Sequence, residues 1–241
     1  MLNRRLRFIP AIVLAVILLI AGAVHMYASD YYHADEAALL ACQTEGLVTV
    51  SQTEDYQYVF RPENPEAGLV FYPGGKVEHS SYAPLMQELA RNNILCIVAK
   101  MPLNLAVLDV DAAETVMGQH PEITEWYIGG HSLGGSMAAS YAAENAGNFE
   151  GLLMLAAYST EDLDGTGLEV FSVYGSEDGV LNMEKYEKYR RNLPEDVHEL
   201  IIEGGNHAGF GSYGAQEGDG EATIEQAEQV KITAEFFIEN K

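Results

Sequence analysis

Along most of the chain, short and continuously apolar segments alternate with longer segments of helical spacing. Uninterrupted apolar strands that alternate with helices indicate a parallel sheet covered by helices on both faces. The predicted strands of this region are Leu69–Tyr72, Ile94–Ala99, Trp126–Ile128, Leu152–Ala156, Val170–Tyr174 and Val197–Ile202. The predicted helices are Tyr82–Arg91, Leu105–Gly118, Gly134–Asn145, Met183–Arg191 and Ala222–Ile238.

The segment before this alternation has a different pattern. Residues 35–42 have helical spacing, and Leu47–Ser51 and Tyr56–Arg61 are two β-rich segments separated by a polar turn. We expect the two strands to add an antiparallel edge to the sheet. The pattern therefore predicts one α/β domain, in which residues 31–67 form a helix and edge strands and residues 68–241 form the core.

The first thirty residues do not belong to the predicted domain. Arginines near the N-terminus precede an uncharged run from Phe8 to Ser29, which is long enough to span a bilayer. These arginines, with Asp30 after the run, predict a cytoplasmic N-terminus and a domain outside the membrane. We favour a retained signal anchor, which gives a single-pass membrane protein, because the run continues past the small residues Ala21-Gly22-Ala23. A cleaved signal peptide, which gives a secreted protein, is the alternative.

Composition narrows the class of partner. The chain of 241 residues has 36 acidic and 13 basic residues and a net charge of −23. A surface this acidic repels phosphate, which argues against a nucleic-acid partner and against peripheral binding to anionic lipid. Cys42 and Cys96 are too few for a disulfide scaffold or a four-cysteine zinc site. Cys96 lies in a predicted apolar strand, which favours a buried thiol over a disulfide.

The sequence Gly130-His131-Ser132-Leu133-Gly134 carries the main chemical signal. It follows a predicted strand and begins a helix rich in small residues, a context typical of a nucleophile elbow. In such a turn the hydroxyl of Ser132 is exposed above the sheet, and Gly130 and Gly134 prevent side-chain clashes between strand and helix. A glycine-rich turn without chemistry is the alternative, which the position between strand and helix disfavours.

A serine nucleophile requires a base, and the base requires an orienting carboxylate. In this architecture the acid and then the histidine follow the serine along the chain, each in a loop after a later strand. Asp178 follows the predicted strand Val170–Tyr174 and is the candidate acid, with Glu177 as its competitor. His207 is the candidate base, because among the seven histidines it alone follows a strand end after the acid.

The loop Pro73-Gly74-Gly75-Lys76-Val77 follows the first predicted parallel strand. Paired glycines allow backbone N–H groups to turn toward a developing oxyanion. We expect the N–H of Leu133 to supply one donor of an oxyanion hole, and that of Gly75 or Lys76 to supply the other. A tight turn without chemistry is the alternative interpretation.

The sequence resembles the α/β-hydrolases, and specifically the compact bacterial α/β hydrolase 5 group, which is close to dienelactone hydrolases. The resemblance lies in the blocks FYPGGKVE (71–78), AKMPLN (99–104), IGGHSLGGSMAA (128–139), YGSEDGV (174–180) and EGGNHAGFGSYG (203–214). It implies an α/β-hydrolase fold with a catalytic core over residues 68–241, the triad Ser132, Asp178 and His207, and an oxyanion role for residues 74–76. Dienelactone hydrolases have a cysteine nucleophile, so the serine argues against that particular activity.

The connections between the predicted elements bear on the substrate. Only residues 157–169 separate the two strands after the elbow helix, which is too short for a large lid domain. We expect an open site in which a small or accessible ester-type substrate is hydrolysed without a cofactor or metal, with Tyr158 and residues 101–103 as candidate pocket walls. Esters, thioesters, lactones and small amides all remain open as substrates. Residues 217–221 are interpreted as a solvated loop that helps to hold His207. A non-catalytic surface binding protein and an acyltransferase remain alternatives, and the oligomeric state stays open.

Overall fold

One mixed sheet organises residues 32–241 in the computed structural model, which describes residues 9–55 and 57–241. Its order is β1-β2-β4-β3-β5-β6-β7-β8 across the described residues. The β1–β2 and β2–β4 pairs are antiparallel, and all other neighbours are parallel. The strands are β1 (Val48–Gln52), β2 (Tyr58–Pro62), β3 (Ala67–Tyr72), β4 (Ile94–Val98), β5 (Trp126–His131), β6 (Gly151–Leu155), β7 (Glu169–Gly175) and β8 (His198–Ile202). This confirms the mostly parallel sheet and its antiparallel edge.

Helices cover both faces of this sheet, as the sequence predicts. Apart from α1 (Ile9–Ser29), which belongs to a separate unit, the α-helices of the described residues are α2 (Glu36–Ala41), α3 (Ala83–Ala90), α4 (Ala112–Gln119), α5 (Leu133–Glu144), α6 (Met183–Tyr189) and α7 (Gln226–Asn240). In β3, Leu69 and Phe71 pack into the core beneath α3 and α7, whereas Val70 and Tyr72 pack into the core beneath α4 and α5. Because successive side chains point to opposite faces, a strand buried on both sides is continuously apolar.

Some element boundaries differ from the predicted ones. The predicted helix from Leu105 to Gly118 is a 3₁₀ turn over Ala106–Leu108 followed by α4, because the backbone is not helical at Asp109 (φ −156°, ψ 62°) and the helix restarts only after Asp111. The last helix begins at Gln226 rather than Ala222, because Glu225 is extended. Tyr56, the predicted start of the second strand, lies outside the described residues.

Helix α1 contains the predicted membrane segment. Its window Pro10–Tyr27 has a mean hydropathy of 2.2 over 18 residues, so α1 is long and apolar enough to cross a membrane by length and composition. A signal sequence near an N-terminus has the same properties, so the choice between anchor and signal peptide stays a prediction. The arginines Arg4, Arg5 and Arg7 lie outside the described residues.

Two further sequence-based expectations concern the cysteines and the lid. Cys42 and Cys96 are unpaired, and Cys96 is buried in β4, where burial raises the pKa of its thiol. Residues 156–168, which connect β6 to β7, contain no helix or strand of their own. The short connection therefore leaves the carboxyl end of the sheet without a lid domain at this position.

Candidate active site

Ser132 occupies the single position between β5 and α5. Its backbone has φ +53° and ψ −121°, a region in which a residue other than glycine is strained. Its N–H donates to the carbonyl of Leu155 at 2.9 Å, which fixes the turn to the end of β6. The structure thus places a strained and half-buried serine at the carboxyl end of the sheet, as an elbow requires.

The two predicted elbow glycines lie where backbones approach most closely. A Cβ added to Gly134 would lie 2.2 Å from the carbonyl oxygens of Tyr72 and Pro73. A Cβ added to Gly130 would lie 2.6 Å from the carbonyl carbon of Gly134. Real Cβ atoms do not approach backbone so closely, so helix α5 can approach strand β5 only with glycine at 130, and the end of β3 only with glycine at 134.

Asp178 and His207 form a hydrogen-bonded pair between the loops that follow β7 and β8. Nδ1 of His207 lies 2.9 Å from Oδ2 and 3.1 Å from Oδ1 of Asp178, and each side chain is 1% exposed. Oδ1 also accepts the N–H groups of Val180 at 2.9 Å and Leu181 at 2.7 Å. The carboxylate is therefore fixed by its own loop, and it holds the proton of the imidazole on Nδ1.

The other ring nitrogen of His207 is available for proton transfer. Nε2 is buried and has no hydrogen-bond partner among the residues that the structure describes. Ser132 and His207 line the same cleft, although the serine hydroxyl does not hydrogen bond to Nε2. Such contacts are often long in a free enzyme and tighten when substrate binds.

The predicted oxyanion loop lies against the elbow. A Cβ on Gly75 would lie 3.0 Å from Cδ2 of Leu133, so the two loops are in contact. The N–H of Lys76 donates to the carbonyl of Asn104 at 2.8 Å and is therefore engaged elsewhere. Neither Gly75 nor Leu133 has a partner for its N–H within the described ranges. Of the two candidates for the second donor, the geometry thus favours Gly75 over Lys76.

Asp219 is a site residue that the sequence analysis did not single out. Its Oδ1 accepts the N–H of His207 at 3.2 Å and that of Gly179 at 3.1 Å, and its Oδ2 accepts the N–H of Ala208 at 2.8 Å. Residues 217–221 were expected to help hold His207, and this carboxylate is the group through which they do so. In the sequence, the only indication of this role is an acidic residue between two glycines, Gly218-Asp219-Gly220, in a predicted loop.

A cleft of about 370 Å³ opens beside Ser132 and His207. The predicted wall Tyr158 lines it and stacks on Tyr189, with ring centroids 5.6 Å apart, whereas residues 101–103 do not line it in the part of the chain described. The remaining lining residues are Leu133, Ser136, Met137, Ala156, Ala157, Thr160, Val180, Leu181 and Asn182. Among residues 9–55 and 57–241, no group of three or more His, Cys, Asp or Glu side chains is arranged to hold a metal ion.

The sheet order and the strand–serine–helix turn define the α/β-hydrolase fold. The sequence model of the alpha/beta hydrolase family matches residues 68–231, and the chain belongs to this family. It is a hydrolase by family, as the resemblance in the sequence implies.

Solved structures show the same fold at low identity. They include a predicted CIB-like hydrolase from Thermoplasma acidophilum, with a TM-score of 0.56 and 14% identity over 80% of this chain and 99% of that chain. TT1662 from Thermus thermophilus has a TM-score of 0.59 and 16% identity over 79% and 96%. Est1E from Butyrivibrio proteoclasticus has a TM-score of 0.57 and 13% identity over 81% and 99%. No curated protein matches the sequence significantly.

Proposed function

We propose that the protein is an extracytoplasmic serine hydrolase that cleaves small or accessible esters. The observation that carries this proposal is the Asp178–His207 pair at 2.9 Å beside the cleft that Ser132 and His207 both line, because the second ring nitrogen of His207 has no hydrogen-bond partner among the described residues. A buried carboxylate that orients an imidazole beside a strained serine is the arrangement that activates a hydroxyl for attack on a carbonyl.

The reaction follows from these positions. Nε2 of His207 takes the proton of the Ser132 hydroxyl as its oxygen attacks the ester carbonyl, and Asp178 stabilises the imidazolium that forms. The N–H groups of Leu133 and Gly75 stabilise the negative oxygen of the tetrahedral intermediate. His207 then gives the proton to the leaving alcohol, which leaves an acyl group on Ser132. Water, deprotonated by His207, attacks this ester, and the acid and the free serine are released.

The shape of the cleft supports small or accessible substrates. The cleft has a volume of about 370 Å³. The short connection between β6 and β7 does not cover it with a lid domain. Its wall combines apolar groups such as Met137 and Leu181 with the ring of Tyr158. A site of this kind fits a short acyl or aryl group better than a long lipid chain, which needs an enclosed apolar tunnel.

The proposed location rests on α1 and on the charge of the chain. An apolar helix of this length at the N-terminus, with arginines before it and acids after it, favours export of the domain. A reporter enzyme that is active only outside the cytoplasm, fused after Lys241, tests this directly. Activity supports export, and a silent but expressed fusion contradicts it.

The chemistry is tested on the full chain in detergent with a fluorophosphonate probe and a panel of esters. The panel comprises p-nitrophenyl esters of increasing acyl length and methyl ferulate, the last because Est1E has been determined with ferulic acid bound. We expect one adduct on Ser132 and turnover that falls with acyl length. Ser132→Ala should abolish both, whereas Ser136→Ala, which changes another serine of the same cleft, should keep both. An adduct elsewhere, or no adduct on the folded chain, contradicts the proposal.

A further inference from the structure

The hydroxyl of Tyr82 joins the loop of Gly74 and Gly75 to the turn that carries Ser132. The N–H of Gly74 donates to Oη of Tyr82 at 2.9 Å, and the same oxygen lies 2.8 Å from Nδ1 of His131. Tyr82 is completely buried, and His131 is 1% exposed. Gly74 precedes one proposed oxyanion donor, and His131 precedes the nucleophile, so one hydroxyl contacts both halves of the site.

The direction of these hydrogen bonds follows from the donors. The N–H of Gly74 can only donate, so Oη of Tyr82 accepts it. Among the described residues, Nδ1 of His131 is the one acceptor recorded for the hydroxyl proton, and we assign the proton to that bond. His131 then carries its proton on Nε2. Burial raises the pKa of Tyr82, and burial together with the neighbouring His207 holds the pKa of His131 well below its ordinary value. Both groups are thus neutral at ordinary pH, which is the state that this bond requires.

Gly74 packs closely against the bridge between Tyr82 and His131. A Cβ on Gly74 would lie 2.9 Å from both Oη of Tyr82 and Nδ1 of His131, so only glycine leaves room for the bond between them. The ring of His131 also lies against that of His207, with centroids 4.5 Å apart. The imidazole that Tyr82 fixes therefore supports the proposed base as well as the elbow.

We propose that Tyr82 is a positioning residue that aligns the oxyanion hole, a role that rests on the function proposed above. Its hydroxyl holds the peptide before Gly75 against the elbow through His131, so that the N–H groups of Gly75 and Leu133 converge on one oxygen. Removal of an oxyanion donor lowers kcat by about 10²–10³. Because loss of the hydroxyl would misalign a donor and not delete it, we expect a smaller decrease, on the order of 10–100-fold, from the same principle.

The test compares Tyr82→Phe with Tyr72→Phe in the full chain. Tyr72 is a matched control, because it is also fully buried and its hydroxyl also joins two partners, donating to the carbonyl of Val110 at 2.8 Å and accepting the N–H of Ala113 at 2.9 Å. We expect Tyr82→Phe to lower kcat with little change in KM and to slow labelling by the fluorophosphonate, while Tyr72→Phe keeps its kcat despite a similar loss of stability. Equal kcat in the two variants overturns the proposal.

A second measurement is independent of turnover. Long-range ¹H–¹⁵N spectra of the wild-type chain report the tautomer of His131, whose signals are assigned by their loss in His131→Asn. We expect an unprotonated Nδ1 and a protonated Nε2. The opposite tautomer overturns the bridge whether or not the chain hydrolyses esters. The expected tautomer in a chain without esterase activity refutes the proposed function and the oxyanion role together.

Discussion

The backbone N–H of His207 donates to the carboxylate of Asp219 at 3.2 Å, so the proposed base is held by its main chain as well as by its ring. The same carboxylate accepts the N–H of Gly179, in the loop that carries Asp178. Asp178 and Asp219 therefore fix the two loops to each other from different sides. Neither contact alone would define the position of the imidazole.

Replacement of Asp219 by alanine is expected to lower kcat by about 10-fold, because small displacements of a catalytic group already cost large factors in rate. The variant also leaves several N–H groups without an acceptor, at about 1–3 kcal/mol for each one that stays buried. Asp219→Asn keeps one acceptor oxygen and should restore part of the activity. Steady-state kinetics and thermal unfolding measure both effects.

Asp196→Ala is the control for this prediction. It removes the same charge from an exposed position at the opposite end of β8, and it should leave kcat unchanged. Wild-type kcat in Asp219→Ala would show that Asp178 alone suffices to position His207.

The choice between the two neighbouring acids gives a second prediction. Asp178 hydrogen bonds to Nδ1 of His207 at 2.9 Å, whereas Glu177 is exposed and its carboxylate accepts from the hydroxyl of Ser176 at 3.1 Å. Asp178→Asn should lower kcat by about 10⁴, because the amide favours the wrong tautomer of the histidine. Glu177→Gln should retain activity, and the reverse result in the same ester assay would exchange their roles.

The positions of Ser132, Asp178 and His207 were predictable from the sequence because each lies after the end of a recognisable strand, whereas their catalytic roles stay predictions. Because the carboxyl ends of parallel strands meet at one edge of the sheet, the sequence predicts that the three residues lie close together there. Tyr82 and Asp219 were not predictable in this way. Both side chains accept backbone N–H groups of another loop. The sequence indicated that residues 217–221 help to hold His207, but no residue pattern showed which side chain makes the contact.

In the fold, too, features that depend on the local sequence pattern were predictable, and features that depend on contacts with other segments were not. Apolar runs predicted the strands, since burial on both faces requires them. The start of α4 was missed because Asp109 adopts a non-helical backbone conformation, which helical spacing does not reveal. Lys76 and Gly75 could not be separated either, since only the carbonyl of Asn104, from another loop, engages the N–H of Lys76.

Glycine at the elbow gives a third prediction, about stability. Gly134→Ala would place a Cβ 2.2 Å from two backbone carbonyl oxygens, which no side-chain movement can relieve. We expect a loss of more than about 3 kcal/mol or no folded protein, since overpacking against rigid backbone exceeds the usual 1–3 kcal/mol. Gly118→Ala is the matched control. It lies in α4 with nothing within 4 Å of its added Cβ, so it should stabilise the chain by about 0.5–1 kcal/mol in chemical unfolding.

The buried imidazole of His131 gives a prediction about pH. Burial and the neighbouring His207 hold its pKa well below the ordinary value of 6.5 in the folded chain. As pH falls below 6.5, the unfolded chain therefore binds a proton that the folded chain does not, and stability is lost; above 6.5 this contribution is fully present. The loss approaches about 1.4 kcal/mol per pH unit for one proton. His131→Asn should show a shallower decrease in the free energy of unfolding over this range, and an unchanged slope would contradict the neutral state of His131.

The last prediction concerns the strained backbone of Ser132, where two substitutions are expected to abolish activity equally but to differ in stability. Ser132 has φ +53°, a conformation that costs a non-glycine residue about 1–3 kcal/mol and that glycine adopts without strain. Ser132→Gly and Ser132→Ala both lack the hydroxyl, so both should be inactive toward esters and toward the fluorophosphonate. They should differ in stability, since alanine keeps the strained Cβ and glycine does not. We expect Ser132→Gly to be the more stable variant by about 1 kcal/mol, once the greater flexibility of glycine in the unfolded chain is included. Equal unfolding midpoints would mean that the turn stores no strain at this position, and the serine would then be exposed by the packing of β5 against α5 alone.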